Sequence, residues 1–86
     1  MKDSIRRRGE NISSFEVENA VRQFPDVDEV VAVGVASEIA EQEVMAVVTA
    51  KPGRTVDPAA LVEFLVPRLA YFMVPRYVQV VAQIPK

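Results

Sequence analysis

Arg6, Arg7 and Arg8 run directly into Gly9-Glu10-Asn11. The chemistry these residue types offer is anion recognition, because a guanidinium presents a planar fork of N–H donors that matches phosphate and carboxylate. Gly9 adds close approach: a residue without a Cβ lets backbone come up against a ligand, and it serves equally as a turn residue. On an extended segment Arg6 and Arg8 share a face and Arg7 points away, so at most two of the three serve one ligand. Taken alone, such a run is a solvated charged surface. Composition excludes much other chemistry. The 86 residues include no Cys and no His. That removes disulfides, thiolate zinc sites, a cysteine nucleophile, the commonest metal ligand and the commonest general base. Ten basic against 12 acidic residues give a net charge of −2. This balance, with no aromatic residues interleaved among the arginines, argues against a nucleic-acid partner.

The arginine segment needs a frame, and the rest of the chain supplies one. A chain of 86 residues, 50% apolar and 26% charged, makes one small globular domain, 1–86. Ser13-Ser14-Phe15-Glu16 fits a capping box with Ser13 as N-cap, and Ile12 with Val17 makes the accompanying hydrophobic staple. Val17, Ala20, Val21 and Phe24 then mark the buried stripe of a helix that Pro25-Asp26 ends near Gln23. Val27 to Ala36 and Gln42 to Ala50 are Val-rich and read as two strands of an antiparallel hairpin, closed by a turn at Lys51-Pro52-Gly53-Arg54. Asp57-Pro58 starts a second helix with stripe Leu61, Phe64, Leu65 and Leu69. Pro67 predicts a kink or break, with Arg68 to Tyr71 as a separate turn. Tyr77 to Val81 reads as a last strand. The expected fold is therefore α+β: a small sandwich with a mainly antiparallel sheet of about three strands plus a short N-terminal β segment, Asp3 to Arg8, packed against two or three helices. No apolar run approaches the ~20 residues of a membrane span. The N-terminal residues carry charge where a signal peptide carries its apolar stretch. Together with the lack of Cys, this points to a cytoplasmic domain.

The stretch from Lys2 to Glu18, with Gly9-Glu10-Asn11-Ile12 followed by Glu16-Val17-Glu18, resembles the eighth core motif of adenylate-forming enzymes. That superfamily includes acyl-CoA synthetases, nonribosomal peptide synthetase adenylation domains and beetle luciferases. The resemblance covers nearly the whole chain. The first helix, the Val-rich strands, the second helix and Tyr71-Phe72-Met73-Val74-Pro75-Arg76-Tyr77 follow the order of the small C-terminal domain. It implies a two-step reaction: carboxylate and ATP give an acyl-adenylate and pyrophosphate, and the thiol of CoA then takes the acyl group and releases AMP. It also implies that the small domain rotates between the steps. By the same resemblance Lys2, seven residues before Gly9, is the hinge, and Gly9, Glu10 and Asn11 enter the active site beside the pantetheine tunnel. Arg6, Arg8 and Phe72 are implied contacts for CoA. ATP and CoA are implied as substrates of the whole enzyme, with Mg2+ bound elsewhere, and a large N-terminal adenylation domain is the implied partner.

The chain stops at Pro85-Lys86, where the family's tenth core motif, with its catalytic lysine, would begin. Lys86 matches the motif's variable basic position and not that lysine. The expectation is a C-terminal domain without the large domain, holding no catalytic residue and inactive alone. The acylating subclass most suggested by Arg6 to Ile12 is that of ligases for small or medium carboxylates, including the carnitine and crotonobetaine type. Plainer readings stand beside these. Ser13 and Glu16 are structural, Phe72 and Tyr77 serve equally as core or interface aromatics, and Glu18 is solvated or paired with Arg22. The rival function is a free-standing α+β binding or regulatory module.

Overall fold

Ser13 opens the first helix as its neighbours require. The computed structural model describes residues 4–7, 10–36 and 42–85. Ser13 holds extended backbone angles, and its hydroxyl accepts the Glu16 N–H at 3.3 Å, satisfying one of the donors a helix leaves at its start. Helix α1 spans Ser14–Arg22. Val17, Ala20 and Val21 are buried. Phe24, just past the helix, is half-buried and meets Phe64 edge to face, with ring centroids 5.2 Å apart.

The N-terminal segment is more than an extended piece. Strand β1, Ser4–Arg7, pairs antiparallel with β2, Glu10–Ser13, which runs straight into α1. Ile5 and Ile12 lie opposite one another in this register and both are buried. Two isoleucines removed from water pin the hairpin to the core, which is why residues expected to form only a turn and a cap continue as a second strand.

Strands β3, Val27–Ala36, and β4, Gln42–Ala50, are antiparallel as expected. Between Val27 and Val30 the register slips, so that two residues of β3 face one of β4. The Thr49 hydroxyl fills this bulge by accepting the Glu29 N–H at 3.0 Å. Strand β5, Tyr77–Val80, pairs with β4 in parallel, so the order is β3-β4-β5 and the sheet is mixed rather than mainly antiparallel. The reason is topological. Helix α2, Pro58–Leu65, carries the chain back across the sheet between β4 and β5, and such a crossover returns the chain in the same direction. The β3 strand is one outer strand of this sheet.

Helix α2 begins as expected, with the Asp57 carboxylate accepting the Ala59 N–H at 3.1 Å and Pro58 in the first turn. It ends at Leu65, two residues before Pro67, so the proline marks a break. The separate turn is a 3-10 turn over Tyr71–Met73, slightly later than expected. Leu61 and Leu65 are fully buried, while Phe64 and Leu69 pack at the margin. The core lies between the helices and one sheet face, where Val30, Ala32, Val44, Ala46 and Val48 are buried. Two turns are tied together beside it: Arg54 pairs with Asp26 at 2.6 Å, an ionic contact without a well-aligned hydrogen bond. Gly53 takes φ +74° in the turn after β4, a conformation glycine adopts without strain.

Candidate functional site

Three of the candidate residues that the structure describes, Arg6, Glu10 and Asn11, lie on the hairpin. Because Ile5 and Ile12 face the core, alternation puts the paired residues Arg6 and Asn11 on the outer side, where both are exposed. Arg6 Nη1 donates to Asn11 Oδ1 at 3.5 Å, a long bond. Glu10 pairs with Arg7 at the last rung of the ladder. Lys2, Arg8 and Gly9 lie outside the described residues. The hairpin does not float: the Arg6 backbone N–H donates to Oε1 of Gln42, at the start of β4, at 2.8 Å.

Phe72 is held elsewhere, in the turn before β5. It is half-buried against the core, and its ring meets Tyr71 edge to face at 5.8 Å. Tyr71 is the more accessible ring, 87% exposed. The structure therefore brings Arg6 and Asn11 together and sets Phe72 on a different element. Arg68 stacks over Phe64 at 3.7 Å from the ring centre and donates to the Phe64 carbonyl at 2.7 Å, which fixes a positive charge beside this turn.

A cleft of about 290 Å³ contains none of these residues. It lies between Arg22 at the end of α1, Asp28 and Glu29 at the start of β3, and Ile84-Pro85. It is shallow and of mixed charge. Among the described residues no three carboxylates gather as metal ligands. No helix among them is long and apolar enough to cross a membrane.

Three residues that matter to this frame escape a reading of the sequence. Glu18 is half-buried and not paired with Arg22: its carboxylate accepts the backbone N–H of Ala32 at 2.9 Å, and Arg22 donates to Asn19 instead. Gln42 reaches Arg6 across the fold. Gly34 sits within β3, and an isolated glycine inside a Val-rich strand was the available signal for a close approach at that point.

With that geometry established, the comparisons with known proteins agree on one class. The chain matches the AMP-binding enzyme C-terminal domain over residues 16–86, and it belongs to that family. It is 38% identical, over all 86 of its residues and 17% of the relative, to a fatty acid–[acyl-carrier-protein] ligase, ScoC, of Streptomyces coeruleorubidus. It is 30% identical, over 95% of itself and 16% of the relative, to a crotonobetaine/carnitine–CoA ligase of Escherichia coli. Among solved structures it is similar to an acyl-CoA synthetase of Brucella canis, with TM-score 0.89 and 32% identity, covering 99% of this chain and 16% of that one. The chain thus spans about one sixth of the length of the relatives it matches and corresponds to the C-terminal domain of an adenylate-forming ligase.

Proposed function

We propose that this chain is the mobile C-terminal domain of an ATP-dependent acyl-CoA synthetase, which turns between adenylation and thioester formation about a hinge at Lys2. The observation that supports the reading is the hairpin: exposed Arg6 and Asn11 lie opposite one another on a β-ribbon tied to β4 through Gln42. In the first step a carboxylate oxygen attacks the α-phosphorus of ATP and pyrophosphate leaves. In the second the CoA sulfur attacks the acyl carbonyl, the thiol proton is lost, and AMP leaves. Rotation lets one cleft present different groups to these unlike transition states. In this proposal Gly9, Glu10 and Asn11 border the pantetheine channel, and Arg6, Arg8 and Phe72 contact CoA. Arginine suits that role because it pairs with phosphate bidentately. Nothing in this chain bonds to the reacting atoms. The acyl pocket and Mg2+ are assigned to the large domain.

The relatives are named for different acids and for two kinds of thiol carrier, CoA and acyl-carrier protein. The carnitine and crotonobetaine type remains the first acyl class to try. The test uses the full-length enzyme: ATP–pyrophosphate exchange and thioester formation over a panel of carboxylates, with CoA and with acyl-carrier protein, before and after Lys2→Pro. Exchange that survives while thioester formation collapses supports the hinge. If no carboxylate supports exchange in the unmutated enzyme, the ligase reading fails and the binding-module reading takes its place.

A further inference from the structure

Gly34 and Gln42 form a matched pair. Gln42 stands on the same sheet face as Gly34, two rungs along the β3–β4 ladder, where Ala36 faces Gln42 and Gly34 faces Val44. Its amide lies directly over the Gly34 Cα. A Cβ at position 34 would come within 2.7 Å of Gln42 Cδ and 2.8 Å of both Nε2 and Oε1, so no side chain larger than glycine's fits while the amide stays. From that seat Oε1 accepts the Arg6 N–H at 2.8 Å. Arg6 is the residue opposite Asn11 and one rung from the Arg7–Glu10 pair that leads into the loop.

We infer that Gln42, seated over Gly34, is a positioning residue that fixes the angle of the β1–β2 hairpin against the sheet and so aims Glu10 and Asn11 for the thiol-transfer step. The catalytic consequence rests on the ligase reading above; the latch itself does not. The atoms that a Cβ at 34 would meet are the far end of a flexible side chain, so Gly34→Ala displaces the amide without breaking the core. Losing the glycine should therefore have nearly the same effect as losing the glutamine. The two residues act as one switchable contact.

The experiment uses the full-length enzyme with Gln42→Ala, which removes the acceptor, Gln42→Glu, which keeps one, and Gly34→Ala, which unseats it. Hydrogen exchange of the Arg6 amide reads the latch, and the ratio of single-turnover thioester formation to ATP–pyrophosphate exchange reads its consequence. The expected result is that Gln42→Ala and Gly34→Ala speed Arg6 exchange roughly threefold to tenfold, lower thioester formation by at least that factor, and leave pyrophosphate exchange within about twofold, while Gln42→Glu restores both readouts. Unchanged Arg6 exchange in Gln42→Ala overturns the latch. So does loss of amide protection throughout β3, β4 and α1, which would make the pair ordinary core. Faster Arg6 exchange with both half-reactions unchanged, or Gln42→Glu behaving like Gln42→Ala, overturns the positioning role. An unmutated enzyme without ligase activity sinks the ligase reading, yet the Arg6 amide still reports whether the latch exists.

Discussion

Thr49 and Glu29 show how a single hydroxyl can outweigh a visible ion pair. The Thr49 hydroxyl accepts the N–H that the bulge leaves outside the strand ladder, in a partly buried place. Thr49→Val keeps the shape and removes the acceptor, and should lower stability by about 1 kcal/mol. A lower urea midpoint with unchanged slope is the expected signature. The Asp26–Arg54 contact is shorter, but Arg54 is 59% exposed, so solvent screening discounts it. Arg54→Ala should cost less than about 0.5 kcal/mol in the same titration. A larger effect of Arg54→Ala than of Thr49→Val would reverse this ranking.

Among the elements, α2 depends most on its neighbours. At eight residues it is too short to hold itself in water, so its cap and its buried leucines must supply the stability. Asp57→Ala should cost about 1 kcal/mol through the lost cap, and Leu61→Ala about 2–5 kcal/mol because Leu61 is fully buried. Thermal or urea unfolding of the two variants separates these effects. Both features of α2 are written locally, which is why the helix is legible in sequence: Asp57-Pro58 at the start, Pro67 beyond the end, and an apolar stripe between. The same holds for Ser13 and α1. What could not be read depends on distant partners. The parallel direction of β5 follows from how α2 crosses the sheet, and no residue in Tyr77–Val80 encodes it. The strand character of Glu10–Ser13 comes from Ile12 meeting Ile5. Glu18 has an attractive local partner in Arg22, four residues on, and nothing nearby points to Ala32. For the site, the residue types and their spacing were legible, whereas the contact that orients them, from Gln42 to Arg6, spans the fold.

At the scale of the whole molecule, the hairpin that carries the candidate site shares its core with the sheet and helices. Ile5 and Ile12 belong to one apolar cluster with Val17, Val48 and Leu61. The radius of gyration, 12.3 Å, is that of a compact chain of this length, for which about 12 Å is expected. The 86-residue chain should therefore unfold in one transition, with calorimetric and van't Hoff enthalpies equal at roughly 60 kcal/mol. A separate early transition confined to residues 4–13 would show instead that the hairpin is a weakly docked appendage. One cooperative unit is also what rotation as a rigid body would require, since a lid that bends internally loses the aim of its loop.

The Glu18 carboxylate has a last consequence, for the company this molecule keeps. An outer strand with outward N–H groups is a template on which another chain can extend the sheet, and that is how many β-containing proteins begin to aggregate. At the outer edge of β3 the donor of Ala32 already has its acceptor, and the acceptor carries a negative charge. A foreign strand pairing at Ala32 would have to displace a carboxylate. The helix that packs the core thus also covers one donor on an outer strand against pairing with another chain.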